Sequence, residues 1–302
     1  MDAPSLLREL APMAEQLLER HLATTREWFP HELVPWGRAR DLEPGATWSP
    51  TEFPIDEAVR SALFVNLLTE DNLPYYFRAI DHLFGGDHPW AVWSRRWTAE
   101  EGRHSIVMRD WVTVTRALDP VALERARMHQ VSGGFEPAID GAHEAFVYLT
   151  LQELATRISH RNTGKLLEDR PGYDVMARVA ADENLHHLFY RDMASAAIEA
   201  DPSGMVVAIE RQVRDFEMPG TGIADFTTHA RAMADAGIYD YAIHHDQILV
   251  PVVLRHWRVE TLEGLTPTAE QARARLLKRI ERIGRAAHRL SERRQARFAL
   301  SA

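Results

Sequence analysis

The chain has 302 residues, a formal net charge of -9 and no cysteine. The missing cysteine excludes disulfides, thiolate zinc, a chain-borne iron-sulfur cluster and a cysteine nucleophile, and the acidic balance argues against a nucleic-acid binder. Hydrophobic residues make up 45% of the chain, ample for a core. With no linker long enough to divide it, a single domain over residues 1–302 is expected.

Residues 1–30 mix Arg8, Glu9, Glu15, Glu19 and Arg20 with leucines and read as an amphipathic helix rather than a signal peptide. No run approaches the roughly 20 apolar residues of a membrane span, so a soluble, cytoplasmic protein is expected. An irregular, proline-rich stretch follows Trp28-Phe29-Pro30 and continues through Pro54, its aromatics placed to pack over the helices. Residues 55–84 read as helix, with Leu63, Leu67, Glu70 and Phe77 on one side. Pro74 cannot donate to the Glu70 carbonyl, which predicts a kink one turn beyond Glu70.

The stretch from Gly85 to Pro89 reads as a turn, with Pro89 starting a helix that runs to about Leu118. Asp119-Pro120 opens a shorter helix, broken at Gly133-Gly134. A third core helix is predicted over 141–162, and a fourth from Pro171-Gly172 to Ala200. Further helices are predicted near 204–216, 224–236 and 238–257. Residues 273–297 then carry ten basic residues against two acidic ones, a solvated face or a surface for an acidic protein. No alternating-period strand of useful length is present, so the fold class is all-α.

Chemistry enters on the helix after Pro89. Trp90, Trp93, Trp97, Glu101, His104, Met108 and Trp111 recur at spacings of three and four, so Glu101 and His104 interrupt an apolar stripe. A buried unpaired charge costs several kcal/mol (roughly), and a metal ion would use both groups at once. One Glu-x-x-His is weak evidence in a chain with 15 histidines. A second copy, Glu183 and His186, lies in the stripe Met176, Val179, Glu183, His186, Tyr190, Met193. Glu70 lies 31 residues before Glu101 and Glu153 lies 30 before Glu183. Each half thus reads as a helix with Glu, then a helix with Glu-x-x-His, the known ligand pattern of ferritin-like di-iron and di-manganese bundles. Four carboxylates and two imidazoles suit two iron or manganese ions. The 52 residues from Glu101 to Glu153 fit the long crossover of such a bundle.

His160 shares a face with Glu153 and Thr156 and reads as a satisfied core or rim histidine, with a polar group in the outer surroundings of the metals as the alternative. His244-His245-Asp246 look like metal ligands, but adjacent histidines on a helix point about 100° apart and cannot easily share an ion, so no ligand role is expected of them.

Taken together, Trp28-Phe29-Pro30, Thr69-Glu70 with Leu73-Pro74, Trp97 to His104, Gln152 to Thr156 with Ile158-Ser159-His160, and Ala180 to His186 resemble the soluble acyl-carrier-protein desaturases. The resemblance continues through Trp257-Arg258-Val259, Gly264-Leu265-Thr266 and the basic helix. It implies a ferritin-like four-helix di-metal bundle with added N- and C-terminal helices. It also implies iron ligands at Glu70, Glu101, His104, Glu153, Glu183 and His186, with Asp182 and Glu100 behind the histidines. Thr69 and Thr156 match positions on the oxygen-binding side of the metals, although a helix-interior threonine also bonds its own backbone.

The implied activity is insertion of a cis double bond into a fatty acyl chain on acyl carrier protein, using two irons, dioxygen and two electrons. No dinucleotide fingerprint is present, so a ferredoxin or similar donor would supply the electrons. A homodimer is the family expectation. The sequence departs from the family at Gly102, where asparagine is usual, and at Asn184-Leu185-His186-His187, where a basic pair, His and Glu are usual. Trp93, Trp97 and Trp111 are expected to line an apolar substrate channel. A di-iron hydroxylase or oxygenase acting on another carrier-bound substrate, a non-catalytic ferritin-like metal-binding protein and a metal-free helical interaction protein are the alternatives.

Overall fold

The computed structural model describes residues 2–85 and 88–301, and among these it holds helices and turns but no strand. Gly86 and Asp87, in the middle of the turn predicted over 85–89, lie outside the described residues.

Four helices close a ring. They are α3 (Glu57–Glu70), α5 (Pro89–Thr115), α7 (Ala142–Leu166) and α8 (Arg170–Ala200). α3 packs on α5, α5 on α8, α8 on α7, and α7 back on α3. α1 (Ala3–Thr24) lies across α5 and α8, and the short α2 (Pro30–Leu33) follows it. α4 (Leu73–Phe84) packs on α5. α6 (Pro120–Gly133) belongs to the long crossover that carries the chain from α5 to α7. Beyond α8, α9 (Pro202–Asp215) packs on α7 and α8, α10 (Phe226–Asp235) on α3, and α12 (Pro267–Ser301) on α9. Between α10 and α12 stand α11 (Tyr241–His244) and a π-helical segment, His245–His256.

The region 55–84 is broken where a kink is predicted. α3 ends at Glu70, and α4 begins at Leu73 with Pro74 in its first turn. Pro74 removes one donor, and Asn72 fixes the break. Its side-chain amide donates to the Phe135 carbonyl at 2.9 Å and its side-chain oxygen accepts from the Phe135 N–H at 2.9 Å. The crossover therefore holds the chain at the point where Glu70 leaves its helix.

α8 starts with Asp169 capping Gly172 N–H at 2.9 Å. Gly172 sits against Trp111, whose ring carbon Cζ2 would be 2.5 Å from any Cβ placed there. Only glycine lets the start of α8 approach α5 this closely.

Among the described residues two large clusters make up most of the apolar core, with a small third at Val206, Ala269 and Ala272. On α5, Trp90, Trp93 and Trp97 belong to one, and Val107, Met108 and Trp111 to the other. On α8 the order reverses, with Val175, Met176 and Val179 in the second cluster and Phe189, Tyr190 and Met193 in the first. The layer between them holds Glu101, His104, Glu183 and His186, all buried. The two helices run antiparallel, so each Glu-x-x-His pair meets the other at one level of the bundle.

Candidate metal centre

The structure brings all six candidate ligands into that layer. Glu70, Glu101, His104 and Glu183 form one cluster and Glu101, Glu153, Glu183 and His186 another, with one donor atom from each residue within 4.8 Å of the others. Glu101 and Glu183 belong to both. The two oxygens of Glu101 face different histidines, Oε1 at 2.8 Å from His186 Nδ1 and Oε2 at 3.8 Å from His104 Nδ1. Glu183 Oε1 lies 3.3 Å from His104 Nδ1. Glu70 closes the His104 side at 3.6 Å and Glu153 the His186 side at 3.7 Å.

A second layer turns the rings. His186 Nε2 donates to Glu100 at 3.0 Å, which also accepts from His21 Nε2 at 2.9 Å and from Arg96 Nε at 2.6 Å. Across the centre, His104 Nε2 stands 3.6 Å from Asp182. Asp182 accepts from Trp28 Nε1 at 2.8 Å and is bound by Arg178 and Arg103. Each histidine is thus backed by the acid that precedes the other motif's glutamate. Both Nδ1 atoms point inward, the arrangement that fixes a metal-binding tautomer.

These residues fit a pair of divalent cations. His104 Nδ1, His186 Nδ1, Glu101 Oε1 and Glu153 Oε2 are buried and make no well-aligned hydrogen bond, even where His186 Nδ1 and Glu101 Oε1 come within 2.8 Å, though nearly all buried polar atoms in proteins have one. Four carboxylates carry a charge of about -4, which two divalent ions neutralise.

Without metal, protons take that place. Burial opposes charge on His104, but Glu101, Asp182 and Glu183 outweigh it and hold the ring well above the usual imidazole range. For His186 the same opposition from burial is overcome by Glu100, Glu101 and Glu153. Burial, together with the charges of Glu183 and Glu101, pushes Glu153 well up. Burial would also raise Glu183, yet the His104 imidazole 3.3 Å away holds it below the ordinary range. Metal uptake by the apo-protein is therefore expected to release protons, from His104, His186 and Glu153, with affinity rising as pH rises. Calorimetry in buffers of different ionisation enthalpy reads the number directly; uptake with no proton release would contradict it.

Thr156 Oγ1 lies 3.0 Å from Glu183 Oε2 and 3.0 Å from the Glu153 carbonyl, so backbone and carboxylate compete for its one proton. Thr69 and Thr156 line a cavity of about 80 Å³ that reaches Glu70 and His160 and is walled by Val65, Met218, Phe226 and Met233. His160 is more than a core or rim histidine. Its Nε2 is 2.9 Å from Glu70 Oε1, in the cavity wall.

Of the three tryptophans expected to line a channel, Trp97 alone reaches a described cavity. That is a smaller one of about 10 Å³ with Tyr76, Ile80 and Leu149, and its indole N–H donates to Glu153 at 3.0 Å. Trp93 stacks on Phe189 with centroids 3.6 Å apart, and Trp111 packs edge-on to Phe53, so both are core. His187, where the family usually has an acid, faces away from the centre. Its Nδ1–H donates to the Thr150 carbonyl at 2.9 Å, and burial pushes its pKa down to about 4. His21 escapes motif reading altogether. The signal for it is its place in the α1 stripe Leu10, Ala14, Leu17, His21, where an apolar residue belongs.

With the geometry in view, comparison with known proteins decides the family. The family model described as fatty acid desaturase matches residues 3–301. The chain belongs to the fatty acid desaturase family. As a desaturase it is an enzyme, and its curated relatives agree. DesA1 of Mycobacterium tuberculosis, named as an acyl-acyl-carrier-protein desaturase, is 40% identical over 281 residues, covering 90% of this chain and 83% of its own. The chloroplastic stearoyl-acyl-carrier-protein 9-desaturase 6 of Arabidopsis thaliana is 33% identical over 246 residues, covering 76% of this chain and 62% of its own. The X-ray structure of DesA2 from Mycobacterium tuberculosis H37Rv, also named as an acyl-carrier-protein desaturase, superposes with a TM-score of 0.71 at 25% identity, covering 89% of this chain and 99% of that one. The desaturase fold is therefore all-α and ferritin-like.

Proposed function

We propose that this desaturase acts as one catalytic unit on a saturated fatty acyl chain carried by acyl carrier protein, introducing a cis double bond. Glu70, Glu101, His104, Glu153, Glu183 and His186 would hold two irons. The observation that carries the reading is the pair of buried clusters sharing Glu101 and Glu183 beside an apolar cavity. When bound, the irons supply dioxygen activation, with two electrons from an external ferredoxin-like donor.

The chain's own residues supply place and order. A saturated chain offers no charge for recognition, so Val65, Met218, Phe226 and Met233 would hold it by shape and exclude water. Thr156 would hold a proton between Glu183 and the cavity, and His160 would fix the outer oxygen of Glu70. Asp182 and Glu100 would keep both imidazoles turned inward.

Carrier docking is assigned to α12. Lys278, Arg282, Arg285, Arg289 and Arg293 are exposed along one side of it, while Arg273 and Arg294 turn inward onto the Leu262 and Ala234 carbonyls. An acidic carrier would meet that outer row. No helix among the described residues is long and apolar enough to cross a membrane, in keeping with a carrier-bound rather than membrane-dissolved substrate. A homodimer in the cytoplasm completes the reading.

The test is product analysis. Iron-loaded protein given stearoyl-acyl carrier protein, ferredoxin, reductant and dioxygen is expected to yield a mono-unsaturated acyl chain. A hydroxylated product would place the chemistry with the oxygenases. No turnover of a panel of carrier-bound chains by fully iron-loaded protein would overturn the reading.

A further inference from the structure

Away from the central layer, two histidines and an aspartate converge where the π-helical segment meets α12. His245 Nδ1 is 2.6 Å from Asp246 Oδ1, and His288 Nε2 is 3.6 Å from Asp246 Oδ2. One donor atom from each residue lies within 4.8 Å of the others. His244 stays out, its Nδ1 bonded to the Tyr239 hydroxyl at 2.9 Å. Neighbouring histidines do diverge, and it is α12 that supplies the second imidazole.

The arrangement is built for His245. Gly284 stands opposite its ring, and a Cβ there would lie 2.6 Å from His245 Nε2. The bare backbone of α12 thus receives one edge of the imidazole and leaves Nδ1 facing Asp246. The His245 side chain is 13% exposed and those of His288 and Asp246 are 60% and 50%, so one donor is fixed and two can close on it. The surroundings are rich in arginine, yet the Asp246 carboxylate meets two imidazoles. Arg285 is taken by Glu281, and Arg294 by Asp240.

We propose that His245, Asp246 and His288 bind one divalent ion of the zinc class, which staples the π-helical segment to α12. Two neutral imidazoles and one carboxylate form a borderline donor set that zinc or cobalt accepts at about 2.0–2.2 Å, with a fourth position left for water. Calcium and magnesium favour all-oxygen sites. The π-helical segment and α12 provide none of the six residues of the central layer, so the two centres are separable by mutation. Bound metal holds the last turns of α12 against the body, directly beside the exposed basic row.

The experiment is a chelator-buffered zinc titration of the full-length, iron-loaded protein, with iron counted before and after. One zinc per chain beyond the iron is expected at micromolar free zinc. His288→Ala and Asp246→Asn, both at well-exposed positions, are each expected to weaken that uptake about a hundredfold with iron content unchanged. Zinc should also slow amide exchange over residues 284–294 in the parent protein and not in the variants. No zinc uptake beyond the iron, uptake matched by iron loss, or uptake unchanged in both variants would each overturn the proposal.

Discussion

Glu183→Ala is expected to abolish binding of both irons and all turnover, whereas Glu70→Ala weakens one ion and leaves the other in place. The difference follows from position. Glu183 belongs to both clusters, while Glu70 belongs only to the one with His104. Removing Glu183 also strips the anion 3.3 Å from His104 Nδ1 and the acceptor 3.0 Å from Thr156, so no neighbour takes over its role. Glu70→Ala leaves Glu101, Glu153, Glu183 and His186 together, and one iron per chain should remain. Metal analysis after gel filtration distinguishes the cases. Equal metal loss in the two variants would mean that the clusters fill only as a unit, and full retention in Glu183→Ala would remove it from the ligand set.

The second large effect concerns the cavity. Ala230→Trp on α10 places an indole in the space that reaches Thr69, Thr156 and His160. Iron content is expected to stay at the parent level, because α10 supplies none of the six candidate ligands. Turnover of an eighteen-carbon substrate should fall by about 100-fold, since misplacing a reacting carbon by about 1 Å already costs that much. Shorter acyl chains should suffer less. Activity unchanged in the variant would mean the acyl chain lies elsewhere, with the smaller cavity beside Trp97 the first place to look.

The sequence carried the bundle and its central layer for a physical reason. Glu101, His104, Glu183 and His186 break apolar stripes at helical spacing, and burial follows from the stripe whatever the partner helices do. The pairing of the two motifs is legible too, because the halves repeat nearly the same interval, 31 and 30 residues. What stayed hidden depends on contacts distant in the chain. The split between α3 and α4 is held by Asn72 reaching Phe135, 63 residues on. His21 meets Glu100 across 79 residues, and His160 meets Glu70 across 90. The π-helical segment around Pro251 is a change of hydrogen-bond register, which side-chain periodicity barely records. Trp93 and Trp111 lie in the same stripe as Trp97, and only their packing partners separate core from cavity wall. The staple site hid for a similar reason, since His288 lies 42 residues beyond Asp246.

Iron content with a Mössbauer spectrum, measured on protein expressed aerobically with iron, tests the central claim most directly. The account predicts about two irons per chain as a magnetically coupled pair, both lost when Glu101 and His104 are changed together to alanine while circular dichroism still reports a helical fold. A parent protein that folds as helix and takes up no iron would contradict it.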